Sequence, residues 1–202
     1  MEYMKASELA FDPRSQMGKI FADGFYEHGL KHFSKDKAKL AKALSHIFVL
    51  DSFFVAVEGE EIMAFVGCTA KKPPPVKLDK KTLIRELGII RGRIANWGLN
   101  KFMVNHVYPF ELSPQTGSIE FVATASEYRG KGAAFGLLSH VMEISPYSEF
   151  VLEVIDTNDP AIRLYEKLGY CEFIRTPAPK GSGFNHFVYM KNEQIRGEWH
   201  EV

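Results

Sequence analysis

Apolar positions recur at three- and four-residue intervals through the first fifty residues. Within 15–32 they fall at Met17, Ile20, Phe21, Phe25 and Leu30, and within 37–48 at Leu40, Ala43, Leu44 and Ile47. Each set makes one stripe on a 3.6-residue helix, so both stretches are predicted helices with a buried face. The period then changes. Residues 53–57 and 62–69 are dense in β-branched and aromatic side chains and flank Glu58-Gly59-Glu60-Glu61, the pattern of a β-hairpin. Further on, 118–125 and 150–155 read as strands. Residues 133–144 read as a helix with Ala134, Leu137, Leu138, Val141 and Met142 on one face. Asp159 is placed to cap a further helix, with Pro160 at its first position and Gly169 just past its end. Residues 170–175 and 184–191 form a closing hairpin around the loop 176–183. Strand, helix, strand, helix, strand predicts an α/β fold, and the hairpins make its sheet mixed.

The two halves are joined by something different. Residues 71–81 (KKPPPVKLDKK) combine three prolines with five lysines, the composition of a stiff, hydrated linker. Residues 82–107 then read as one helix through Leu83, Leu87, Ile90 and Ile94, weakened by about 1 kcal/mol at each of Gly88, Gly92 and Gly98. Since neither flank looks complete alone, 71–117 is read as an insertion within a single domain spanning 1–202.

Composition narrows the class. Of 202 residues 46% are apolar and 25% charged, which excludes a disordered tail, a collagen-like fibre and a disulfide mini-scaffold. Basic and acidic residues balance at 25 each, so no global field recruits nucleic acid, and no nucleic-acid partner is expected. Charge is nonetheless uneven: residues 71–101 carry a local net of +7, and 143–172 a local net of −5. A solvated helix face accounts for the basic stretch, with an anionic ligand or acidic partner as the alternative. Cys68 and Cys171, 103 positions apart, read as two reduced, buried thiols. No apolar run approaches the roughly 18 residues of a membrane span, and Met-Glu-Tyr-Met-Lys lacks the order of a signal peptide. A cytoplasmic protein without a membrane partner is expected.

The chemistry-bearing segment is Glu127-Tyr128-Arg129-Gly130-Lys131-Gly132-Ala133-Ala134, where a strand feeds a glycine turn that opens directly into a helix. Small residues admit a ligand close to the backbone, and the first-turn amides lack internal partners. The macrodipole adds partial positive charge, which makes an anion site suited to phosphate. A bare glycine pair by itself reads more readily as a tight turn, with glycine used only for its backbone freedom. The P-loop pattern fails because Gly130-Lys131 is followed by Gly132 rather than Ser or Thr. The dinucleotide pattern fails because Phe135 stands where a third glycine belongs, and Gly136 is one place late.

A longer pattern does fit. Arg129-x-x-Gly132-x-Ala134 resembles the acyl-CoA pyrophosphate loop (Q/R-x-x-G-x-G/A) of the GNAT superfamily of N-acetyltransferases. The resemblance continues, in order, through Leu152-Glu153-Val154, Asn158, Ala161 and Leu164-Tyr165-Glu166-Lys167-Leu168-Gly169-Tyr170, and covers residues 118–191. It implies a central twisted mixed sheet flanked by helices, with the insertion between strands 3 and 4. It implies acetyl-CoA as co-substrate, no metal, and an amine acceptor. The amides of Gly130, Lys131, Gly132, Ala133, Ala134 and Phe135, beside Arg129, would hold the pyrophosphate. Val122, Ala123 and Thr124 on a splayed fourth strand would pair with the pantetheine arm. Asn158 would touch the cofactor or simply fix the turn before the last helix.

The reaction itself asks for specific groups. A lysine-like amine, with a pKa near 10.4, is almost wholly protonated at neutral pH, so a base or a water relay is needed. The departing thiolate needs a proton. By the resemblance Tyr165 is the general acid, although Ala161, Leu164, Tyr165 and Leu168 also form a plain apolar stripe. Glu153 and Glu120 are both candidates for the base; either is equally readable as a structural carboxylate, and a water chain is the third option. The sequence departs from the family at bulky Phe135 and in the roughly fifty residues between strands 3 and 4. That insertion, with Trp97, Phe102, His106, Tyr108 and Phe110, reads as a lid or acceptor pocket, or as extra packing or a homodimer surface. The reading that results is acetyl transfer to a primary amine, of a small molecule in preference to a protein N-terminus or lysine. A CoA-binding regulatory domain without turnover is the alternative.

Overall fold

The computed structural model describes residues 1–70 and 74–193; the linker positions 71–73 lie outside the described residues. The strands are β1 (Glu2–Lys5), β2 (Phe53–Glu58), β3 (Glu61–Thr69), β4 (Thr116–Thr124), β5 (Glu149–Ile155), β6 (Cys171–Pro177) and β7 (His186–Glu193). They form one sheet in the order β1-β2-β3-β4-β5-β7-β6. Among the described residues only β4 and β5 pair in parallel, and α5 (Ala133–Ile144) makes the crossover that a parallel pair requires. The remaining helices are α1 (Arg14–Gly24), α2 (Lys37–Leu44), α3 (Lys80–Leu87), α4 (Ile89–Leu99) and α6 (Asp159–Lys167). The mixed α/β expectation therefore holds. The β2–β3 hairpin turns at Gly59-Glu60, with Gly59 at φ +58. The edge strand β1 escapes a period-based reading because four residues carry too little alternation.

Strand side chains alternate between two apolar layers, which explains why β2 and β3 read as continuous apolar runs. On one face Phe53, Val55 and Phe65 pack with Phe21, Leu40, Leu44 and Phe48 of the α1–α2 layer. On the other, Phe54, Ala56, Ile119 and Leu152 pack with Leu137, Leu138 and Val141 of α5 and Tyr165 of α6.

Several boundaries differ from expectation. The helix predicted over 15–32 stops at Gly24, and Leu30 sits in a separate 3-10 turn after Gly29, whose φ of +126 cannot continue a helix. Asn158, not Asp159, caps α6: its side chain accepts the Ala161 amide, which moves Pro160 to the second position. Gly169 follows the helix at φ +84, as predicted. The single helix predicted over 82–107 is two, because Gly88 at φ +87 breaks it. Gly92 is a contact point rather than a weakness: a Cβ there would lie 2.5 Å from the Ile84 Cα, so glycine sets the α3–α4 approach. The predicted apolar face is also displaced. Ile90 and Ile94 are exposed, and α4 buries Gly92, Ala95, Gly98 and Leu99 instead. Nor is the end of the linker hydrated. The Val49 amide donates to the Pro75 carbonyl, the Lys77 amide to that of Ile47, and Val76 is buried. Both cysteines are free, but only Cys68 is buried, where desolvation pushes its thiol up to about 12; Cys171 is exposed on β6. Among the described residues no helix is long and apolar enough to cross a membrane.

Candidate active site

The sheet splits at its centre. The parallel ladder runs from Thr116 opposite Glu149 to Ile119 opposite Leu152 and goes no further. Beyond it β4 stays with β3, through Ala123 opposite Phe65 and Thr124 opposite Ala64, while β5 stays with β7 as far as Ile155 opposite Phe187. A V-shaped gap opens between them. Phe121 is the local cause: it is the one described non-glycine residue at positive φ (+53), within the β4 side of a register shift where Phe65 faces Ala123 and Gly67 faces Glu120. Such a backbone costs roughly 1–3 kcal/mol and persists only where neighbours hold it. Here Phe21 of α1 and Phe25 just past its end clasp the Phe121 ring at 5.9 and 6.3 Å.

Backbone groups alternate along β4. The Ala125 amide donates to Met63 of β3, so Ala123 also turns toward β3 and the groups of Val122 and Thr124 face the gap. The Thr124 carbonyl accepts from Arg129 Nε at 3.3 Å, which leaves Val122 as the open edge. The Arg129 guanidinium also binds Asp23 of α1 at 2.6 Å, so Arg129 ties the loop to the first helix.

That loop, 129–132, lies between β4 and α5. The Lys131 amide donates to the Tyr128 carbonyl at 3.3 Å, and Lys131 Nζ lies over the Tyr128 ring at 5.4 Å. Among the described residues the amides of Gly130, Gly132, Ala133, Ala134 and Phe135 have no hydrogen-bond partner. Gly130 and Gly132 hold φ of +74 and +84, and a Cβ on either would meet nothing within 4 Å. Five free donors at the start of a twelve-residue helix, facing open space, suit a diphosphate. Phe135 is part-exposed beside them. Gly136, the glycine one place late, serves packing: its Cβ would overlap the Tyr3 hydroxyl. Asn158 is accounted for as the α6 cap.

Glu120 and Glu153 are the first residues beyond the last parallel pair, at the throat of the gap. They alternate with Ile119 and Leu152, so they face away from the α5–α6 layer that contains Tyr165. The base candidates and the acid candidate thus approach the gap from opposite faces. Glu120 is pushed up to about 7, chiefly by burial and slightly by Glu153, against hydrogen bonds from Ser118 and Thr69. Its Oε1 accepts from Ser118 Oγ at 3.1 Å, and that hydroxyl meets the Tyr108 hydroxyl at 2.5 Å. Burial also raises Glu153, which His106 and Tyr189 oppose. Glu153 sits directly across the ladder from Tyr189. Tyr165 is buried, its pKa raised by desolvation, and its hydroxyl bonds to no described residue. The insertion therefore reaches the site through His106 and Tyr108, while Trp97 and Phe102 stay exposed. Sequence reasoning missed Phe121, Ser118 and Tyr189, because only strand pairing brings them to the throat. Two open clefts of about 570 and 410 Å³ run along α1 past Lys19 and Asp23, and neither touches Glu120, Glu153 or Tyr165.

The sequence model of the acetyltransferase (GNAT) family matches residues 16–170. The chain belongs to the GNAT acetyltransferase family. This GNAT protein is 35% identical over 77 residues to N-alpha-acetyltransferase 30 of Schizosaccharomyces pombe, a match over 37% of this chain and 51% of that relative. It therefore spans about half the length of the curated relative. Its fold is shared with an N-acetyltransferase from Staphylococcus aureus Mu50 at a TM-score of 0.64 and 17% identity, over 95% of this chain and all of that one. The ribosomal-protein-alanine N-acetyltransferase from Brucella melitensis aligns with the GNAT fold at a TM-score of 0.58 and 14% identity, over 96% and 99%. The family is one of acetyltransferases, with acetyl-CoA as its co-substrate.

Proposed function

We propose that this GNAT protein moves an acetyl group from acetyl-CoA to a primary amine of a small molecule, directly, within a ternary complex. One observation carries the reading: the β4–β5 gap opens beside five unpartnered amides, giving adjacent sites for an extended arm and a diphosphate. The Gly130 and Gly132–Phe135 amides bind the diphosphate, with Lys131 adding positive charge and Arg129, paired with Asp23, holding the loop in place. The Val122 edge receives the pantetheine arm as an added strand would. Glu120 takes the proton from the amine as its nitrogen attacks the thioester carbonyl. The C–N bond forms, the C–S bond breaks, and the thiolate takes its proton from Tyr165. Glu153, the first β5 residue past the last parallel pair, is the second carboxylate at the throat. His106, Tyr108 and Phe110 narrow the acceptor side, which favours a compact amine over a polypeptide.

Thiol release from acetyl-CoA against polyamines, amino acids, aminoglycosides and peptides tests this reading. Turnover is expected with a small amine, and Tyr165→Phe is expected to lower kcat while CoA still binds. Tight CoA binding with no thiol release from any amine would favour a regulatory CoA-binding role. A second reading, transfer to a protein N-terminus, draws support from the 35% match to an N-alpha-acetyltransferase; a peptide preferred over every small amine would establish it.

A further inference from the structure

The acceptor side of the throat is built by the stretch after α4, not by the sheet alone. His106, Tyr108 and Phe110 form a strap across β5–β7. Tyr108 stacks edge-on to His106 at 5.1 Å and to Tyr189 at 6.1 Å, and Phe110 lies 5.6 Å from Tyr189 and 4.8 Å from Phe173. The strap treats the two carboxylates differently. Tyr108 engages Glu120 through Ser118, so Glu120 is held by a hydrogen-bonded chain. His106 Nε2 lies 3.3 Å from Glu153 Oε2 in an ion-pair contact that makes no hydrogen bond. That oxygen is shielded from solvent and has no hydrogen-bond partner among the described residues. A buried carboxylate oxygen without a donor is costly, which marks the place where a ligand donor belongs.

We infer that Glu153 Oε2 is the docking atom for the ammonium of the acceptor, and that the aromatic strap restricts the acceptor to a compact cationic amine with no carboxylate beside its nitrogen. The inference rests on the proposed amine transfer and deepens it. An ammonium donates to the orphaned oxygen and lies against the ring faces of Tyr108 and Tyr189, where cations are attracted. A carboxylate on the neighbouring carbon would lie within reach of both Glu120 and Glu153, and like charges at such range repel strongly. Glu153 then binds and Glu120 removes the proton, with Tyr108 as the positioning residue for Glu120.

The test uses two probes with one body, 2-phenylethylamine and phenylalanine, in acetyl-CoA turnover and in equilibrium dialysis against the CoA-loaded protein. The wild type should favour the amine at least tenfold in kcat/KM. Glu153→Gln should raise the amine KM at least tenfold, a larger factor than any fall in kcat, and erase the preference. Tyr108→Phe should lower kcat and leave both KM values unchanged. An unchanged amine KM in Glu153→Gln, a preference for phenylalanine, or no binding of either probe overturns the inference. Binding that depends on Glu153 without any thiol release sustains it while refuting the transfer reading. Turnover insensitive to Glu153 does the reverse.

Discussion

Replacing Glu120 by glutamine removes a titrating group and leaves an oxygen to accept from Ser118, so the perturbation is confined to charge and the proton. The carboxyl is raised from 4.5 to about 7, mainly because burial at the throat strips its water. Below about pH 4.5 it is protonated in folded and unfolded chains alike and contributes nothing to the pH dependence of stability. Between 4.5 and 7 the unfolded chain ionises first, and above 7 the folded protein carries the full penalty of a buried anion. With 1.36 kcal/mol per unit of pKa, that penalty reaches at most about 3 kcal/mol. Urea unfolding of wild type and Glu120→Gln across pH 4 to 8 should show the variant gaining relative stability as pH rises, with the gain complete above about 7. In the same proteins kcat/KM should rise through a limb near pH 7 in the wild type. The variant should lose that limb and about a hundredfold in rate, the scale of a removed general base. A stability difference that does not change with pH, or a limb that survives in the variant, would falsify the assignment of Glu120 as a desolvated base.

Ala134→Pro removes one free amide at the second position of α5, where α6 already accommodates Pro160. The helix should persist while acetyl-CoA binding by calorimetry weakens about tenfold or more, the worth of one charge-assisted hydrogen bond. Gly92→Ala drives a Cβ into the backbone of Ile84 and Leu83 at 2.5–2.7 Å and should destabilise the chain by about 1–3 kcal/mol in urea melts. Unaltered stability would mean that the α3–α4 contact is loose. Tyr170→Phe deletes a buried hydroxyl that has no partner among the described residues, and should raise stability by about 1 kcal/mol.

Periodicity and local caps made much of this protein readable from its residues. The β2–β3 hairpin, α5 to the residue, and the Arg129–Ala134 loop all depend on neighbours within a few positions, and local sequence reports local physics. The insertion was less legible, because Gly88 acts through a positive φ and Gly92 through its close approach to the backbone of Leu83 and Ile84, and a helical count announces neither. The same limit applies at the site. Glu120 and Glu153 are thirty-three positions apart, and Tyr108 and Tyr189 are eighty-one apart. Sequence names them as carboxylates and phenols, but their pKa values, their unequal partners and their place at a gap follow from β4 parting from β5 at Phe121. The residue types fixed which chemistry was available; the split sheet decided which groups meet, since desolvation and hydrogen bonding exist only once distant segments are packed together.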